Sequence, residues 1–168
     1  NSSGTQWIDE FDGLTTLDLD AGDGNVVLVA GGAIIDGDSS TDIEGTTASV
    51  MVGDGTDGAN FGAMGGGDNN IDTDVDNLNV DTSGTNSSGT QWIDESDGLM
   101  TLDLDAGDGN VVLVAGGAII DGDSSTDIAG TTATITVGDG TDGANFGAMG
   151  GGDLSLIHIS EPTRRSYI

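Results

Sequence analysis

The stretch GNVVLVAGGAIID, from Gly24 to Asp36, decides the fold, and it recurs letter for letter from Gly109 to Asp121. Four apolar residues, Val26 to Val29, run without a break, and a glycine pair then separates them from Ile34 and Ile35. Short β-branched apolar runs divided by glycine are typical of strands joined by tight bends. The stretch therefore predicts strands and not a helix.

The repeat extends far beyond this stretch. Residues 1–68 align without a gap with residues 86–153, an offset of 85 residues, and only six of the 68 positions differ. We therefore divide the chain into copy 1 (1–85), a truncated copy 2 (86–153) and a tail (154–168). A unit of this kind cannot bury its apolar face alone, so we expect each copy to stack on its neighbours.

The charge pattern excludes several classes of function. The formal net charge is −28, and the only basic side chains, His158, Arg164 and Arg165, lie in the tail. A chain without bases cannot neutralise phosphates, so neither nucleic acid nor an anionic membrane surface is an expected partner. Without cysteine or histidine before the tail, zinc–thiolate sites and Ser-His-Asp triads are not available. No apolar run is long enough for a membrane-spanning helix, so no membrane insertion is expected.

Strand signals recur along each copy. The predicted strands besides the central stretch are Thr5–Glu10, Leu14–Asp20, Thr46–Val52 and Ile71–Val80, which alternate apolar and polar residues or are rich in β-branched residues. Val50 becomes Ile135 in copy 2 whereas Met51 becomes Thr136, a change that a core would resist, so Val50 and Val52 should face inward and Met51 outward. Phe61 and Met64 are candidate anchors of the following glycine-rich loop.

These features predict an all-β fold, a parallel β-helix or β-solenoid built from the 85-residue repeat, with three or four coils per copy. The alternative is a set of tandem β-sandwich domains, since one copy has about the length of an immunoglobulin-like domain.

Residues 1–153 resemble the repeats of giant filamentous-haemagglutinin-like bacterial exoproteins. The resemblance is carried by NNIDTDVDNLNVDTSG (69–84), GTQWIDESDGL (89–99) and LDLDAGDGNVVLVAGGAIID (102–121). It implies a right-handed parallel β-helix, secretion to the bacterial cell surface or the extracellular space, and a part in adhesion. It assigns no functional residue. We expect the chain to be a fragment of such a protein.

The tail differs from the repeat. LSLIHISEPTR (154–164) resembles the translation of a sequencing adapter, and it begins abruptly after Asp153. We interpret residues 154–168 as an artefactual read-through without a role.

The DGDSSTD loops are the candidate metal sites. They place oxygen atoms at alternate positions, as a calcium ligand set requires, although they lack the glycine and glutamate of an EF-hand. The candidate calcium ligands are Asp36, Asp38, Asp42, Asp121, Asp123 and Asp127. The alternative is a solvated acidic face, which we prefer for Asp72, Asp74 and Asp76.

Trp7 and Trp92 are the candidate glycan contacts. If Ile8 faces the core, Trp7 faces solvent, where an indole can stack on a sugar ring. The alternative is that each tryptophan packs at the corner of a coil.

The expected function is that of a non-catalytic structural stalk in a large adhesin, with neighbouring repeats as partners. One alternative is a module that binds glycans or matrix on a cell surface. Another is a fragment of a β-helix enzyme acting on polysaccharides, through carboxylate pairs such as Asp18 and Asp20. We do not expect an enzyme, because a second, almost identical copy of an active site is unusual and no base is present to bind an acidic sugar.

Overall fold

The chain folds as a parallel β-solenoid of about six turns. The computed structural model describes residues 4–64, 69–120, 122, 125–138 and 144–147, and the backbone of 156–158. Within these residues there are eleven strands and no helix, and every pairing between strands is parallel. The predicted β-solenoid is confirmed. The β-sandwich alternative is wrong, because its sheets are antiparallel.

The strands follow one another with short connections. They are β1 (Gln6–Glu10), β2 (Leu19–Asp20), β3 (Asn25–Ala30), β4 (Ile43–Val52), β5 (Ile71–Asp81), β6 (Gln91–Glu95), β7 (Thr101–Asp105), β8 (Asn110–Ala115), β9 (Ile128–Gly130), β10 (Thr132–Val137) and β11 (Leu156–His158).

The strands stack in two columns, and the chain passes through both on each turn. The first column contains β1, β3, the second halves of β4 and β5, and then β7, β9 and β11. The second column contains β2, the first halves of β4 and β5, and then β6, β8 and β10. Because β5 pairs with β6 in one column and β7 in the other, the stack continues from copy 1 into copy 2 without a break.

One copy corresponds to about three and a half coils. Gln91 pairs with Phe61 in the coil below, Phe61 pairs with Ile34, and Ile34 pairs with Leu14. Leu14 therefore lies three coils below Gln91. The counterpart of Gln91 in copy 1, Gln6, lies in the other column, paired with Val26. Accordingly β1 and β3 belong to the first column, whereas the identical segments β6 and β8 belong to the second. The value agrees with the three or four coils predicted from the sequence.

The core is a ladder of aliphatic side chains. In the first column Ile8, Leu28, Val50, Val80 and Leu104 lie in register, one above the other. The last four are at most 2% exposed, whereas Ile8, on the first described strand, is half-buried. Period-two alternation places one side chain of every two in this core.

The orientation predicted for β4 is confirmed. Val50 and Val52 are 2% and 1% exposed, and Met51 between them is 44% exposed. Phe61 is a fully buried anchor, as predicted, but Met64 is 84% exposed and the prediction for it is wrong.

The predicted strand Leu14–Asp20 is mostly wrong in copy 1. Only β2, at its end, is a strand, and Leu14 forms an isolated bridge with Ile34. In copy 2 the equivalent sequence forms the five-residue β7. The reason is stacking: β7 has neighbours on both sides, β5 and β9, whereas β2 pairs only with β4.

Candidate functional site

Three aspartates from two neighbouring coils come together beside the second column. Asp36 and Asp42 lie at the two ends of the loop before β4, and they are 2% and 0% exposed. Asp42 is bound to β5 of the next coil through two hydrogen bonds. Its backbone N–H donates to the carbonyl oxygen of Asp72 (2.8 Å), and its carboxylate Oδ2 accepts from the backbone N–H of Asp72 (2.8 Å).

Two carboxylate oxygens in this group are buried without a donor. Asp36 Oδ1 accepts from the backbone N–H groups of Gly37 (2.6 Å) and Asp38 (3.1 Å). Asp36 Oδ2 and Asp42 Oδ1, in contrast, have no hydrogen-bond partner within the described part of the chain. Asp36, Asp42 and Asp72 each offer a carboxylate oxygen, and these three atoms lie within 4.8 Å of one another. We call these three residues the inter-coil carboxylate cluster.

The inter-coil carboxylate cluster is electrostatically unfavourable on its own. Burial raises the pKa of Asp42 from 3.8 to about 7. The Asp72 N–H opposes this rise, while the charges of Asp36 and Asp72 and the contact of the Asp42 carboxyl with that of Asp36 add to it. Two like charges at this separation repel by about 3.5 kcal/mol at an effective dielectric constant of about 20. The cluster can lower this energy by taking up a proton or a cation.

Of the calcium ligands predicted in copy 1, the structure brings Asp36 and Asp42 together but not Asp38. Asp38 is exposed, and its Oδ1 accepts from Ser40 Oγ (2.5 Å) and Ser40 N–H (2.8 Å), which lowers the pKa of Asp38. Asp38 is therefore not part of the cluster that contains Asp36 and Asp42. In copy 2 Asp127 is fully buried, and Asp121 and Asp123 lie outside the described residues.

Asp72 is the member of the cluster that the sequence did not assign. We expected a solvated face for it, but the structure places it half-buried against Asp42, 30 residues earlier. The pairing of Ile43 with Thr73 brings the preceding residues of the two strands side by side.

A second acidic group lies one coil further along. Glu95 is 1% exposed and, with the exposed Asp74 and Asp97, forms a cluster of carboxylates. Glu95 Oε2 accepts from the Thr73 hydroxyl (2.6 Å) and Oε1 from the Val75 N–H (3.3 Å). Burial raises the pKa of Glu95 to about 7 in spite of these bonds. Both oxygens have donors, so this cluster is a satisfied structural group.

The two tryptophans lie in different columns and in different surroundings. Trp7, on β1, is 76% exposed, as expected if Ile8 faces inward. Trp92, on β6, is half-buried, and its backbone N–H donates to the carbonyl oxygen of Phe61 in the coil below (2.8 Å). The difference arises because β6 has a coil on both sides, whereas β1 pairs only with β3.

Two shallow depressions lie on the described surface. They have volumes of about 130 and 250 Å³, below the about 300–1,000 Å³ typical of small-molecule sites. Each is lined by a single carboxylate residue, Asp103 in the smaller and Asp81 in the larger. Asp18 and Asp20 are both exposed.

No helix in the described residues is long and apolar enough to cross a membrane. Comparison of the chain with protein-family models, with curated proteins and with solved structures found no match.

Proposed function

We propose that the chain is a non-catalytic stalk segment of a large secreted or cell-surface bacterial adhesin. The observation that supports this proposal is the continuity of the stack at the junction of the copies. β5 of copy 1 pairs with β6 and β7 of copy 2, with the same parallel geometry as the pairs within a copy. Each further copy can extend the rod by the same interaction.

The energetics of such a rod suit a mechanical role. Each coil contacts only its neighbours, so stability is the sum of the coils and their interfaces. The aliphatic ladder through Leu28, Val50, Val80 and Leu104 continues through this junction. At about 4.8 Å per coil, three and a half coils add about 17 Å of length per copy.

The test is a series of proteins with one, two and four copies of the 85-residue unit. We expect the melting temperature to rise from one copy to two, and small-angle scattering to show a length that increases by about 17 Å per copy. If one copy alone melts as high as two, the copies are independent domains and the stalk proposal fails.

A glycan- or surface-binding module is the second candidate, and the exposure of Trp7 favours it. Phe11, close by in sequence, is 91% exposed, so the first coil presents two aromatic side chains. A glycan array probed with the wild type and with Trp7→Ala tests this function. Binding that the substitution removes would support it, and the absence of binding by the wild type would exclude it for the glycans on the array.

A further inference from the structure

We propose that Asp36, Asp42 and Asp72 form a calcium site that joins two neighbouring coils. The proposal does not depend on the stalk function. It starts from the two oxygens that are buried without a donor, Asp36 Oδ2 and Asp42 Oδ1, within the described part of the chain. A buried carboxylate oxygen without a donor is costly, and residues 1–153 contain no Lys or Arg to neutralise it. The remaining sources of positive charge are a proton shared by the two carboxyls and a bound cation, and the contribution of a third carboxylate by Asp72 favours the cation.

The spacing of the oxygens fits calcium. Two ligands of one Ca²⁺, each at about 2.3–2.6 Å from the ion, are at most about 4.6–5.2 Å apart, and the three carboxylate atoms, which lie within 4.8 Å of one another, satisfy this limit. Mg²⁺ requires a smaller octahedral shell, at about 2.0–2.1 Å, and gives up its water reluctantly. Three carboxylates leave room for carbonyl or water oxygens to complete the six to eight ligands of calcium.

The site would act on the stacking of coils. Asp36 and Asp42 belong to the loop before β4, and Asp72 belongs to β5, in the next coil. The hydrogen bonds between Asp42 and Asp72 already hold these two coils in register. A cation bound to all three carboxylates therefore stabilises the interface of two coils and not one loop alone.

Within the described part of the chain, Asp36, Asp42 and Asp72 are the one set of this kind. The counterparts of Asp36 and Asp42 in copy 2 are Asp121 and Asp127. There Ile128 pairs with Leu156, and the two residues that precede Leu156 in the sequence, Leu154 and Ser155, carry no carboxylate. We therefore expect one saturable calcium site for the whole chain.

The experiment is calorimetric titration of the full chain with CaCl₂, after treatment with chelator, in 0.15 M NaCl, first without MgCl₂ and then with MgCl₂ in excess. A circular-dichroism melt with and without calcium accompanies each titration. The variants are Asp42→Asn and Asp72→Asn, and the matched control is Asp76→Asn, an exposed position on β5 that loses the same charge.

We expect one site in the wild type and in Asp76→Asn, with a melting temperature that rises on addition of calcium. Asp42→Asn and Asp72→Asn should each weaken calcium binding by about tenfold or more. In chelator, Asp42→Asn should melt no lower than the wild type, since its amide oxygen can still accept from the Asp72 N–H while its NH₂ group faces Asp36. A melting temperature in chelator that is no lower than that of the wild type would show that a loss of calcium binding is not caused by misfolding of the variant.

Three outcomes would overturn the proposal. The first is the absence of saturable binding by the wild type, which would leave the cluster as a pair of carboxyls that share a proton. The second is an equal loss of affinity in Asp76→Asn, which would indicate diffuse counterion binding. The third is displacement of calcium by magnesium at comparable concentrations, which would exclude a calcium-selective site.

Discussion

The pH dependence of stability tests the burial of Glu95. The pKa of this carboxyl is raised from 4.5 to about 7 by burial. Between these values the folded state holds a proton that the unfolded state has lost. The stability from this proton is therefore fully present below about pH 4.5 and is lost as the pH rises through about 7. At about 1.4 kcal/mol per pKa unit, the change between pH 5 and pH 8 amounts to about 2–3 kcal/mol.

The perturbation is Glu95→Gln. The amide NH₂ of glutamine can donate to the Thr73 hydroxyl, and its carbonyl oxygen can accept from the Val75 N–H. Both contacts of the glutamate can therefore be kept, with the direction of the hydrogen bond to Thr73 reversed. In the wild type the unfolding free energy differs between pH 5 and pH 8. We expect this difference to be about 2–3 kcal/mol smaller in Glu95→Gln than in the wild type.

The assay is urea unfolding at the two pH values, in chelator and at constant ionic strength. The control is Glu10→Gln at the same position of copy 1, where the carboxyl is half-buried and accepts from the Asp12 N–H at 3.3 Å. This control should keep the difference shown by the wild type, because solvent reaches the first coil. An unchanged difference in Glu95→Gln would refute the reasoning, since the many other carboxylates would then account for the whole effect.

Three further predictions concern the stack and its charge. Leu28→Ala, in the fully buried ladder, should cost about 2–5 kcal/mol in urea unfolding, whereas Met51→Ala, on the outer face, should cost far less. Gly109→Ala should lower the melting temperature more than Gly37→Ala, because a Cβ at Gly109 would meet the carbonyl oxygen of Gly89 in the coil below, while the nearest atom to one at Gly37 is 3.9 Å away. NaCl should raise the melting temperature in chelator by screening the acidic surface; a melting temperature independent of NaCl would contradict this.

The architecture follows from local sequence because its determinants are local. Alternation in Ile71–Val80 and the substitutions at Val50 and Met51 are enough to place inward and outward faces, and glycine separates one strand from the next. The failure at Leu14–Asp20 has a different origin. The counterpart segment in copy 2, which differs only by Met100 in place of Thr15, forms a strand, whereas the segment in copy 1 largely does not. The number of neighbouring coils therefore matters more here than the local sequence.

The inter-coil carboxylate cluster was only partly predictable because it depends on register between coils. Residues in stacked positions are 20 apart for Gln6 and Val26 but 30 apart for Thr47 and Asn77. Loops of different length cause this variation, so spacing along the chain cannot identify the residue above. The sequence therefore predicted Asp38 as a ligand, because it is near Asp36 in the chain. In the structure the third member of the cluster is Asp72, which is near Asp42 in space.

The half-integral number of coils per copy gives a long array an approximate twofold screw symmetry. A side chain that occurs once per copy alternates between the columns and returns to its own column after two copies, or seven coils, about 34 Å along the axis. Odd and even copies thus present different sides of the rod. If a difference such as that between Phe11 in copy 1 and Ser96 in copy 2 recurred in every second copy, it would change one side of the rod and leave the other as it was. A protein built from a single repeat can in this way acquire two chemically distinct sides.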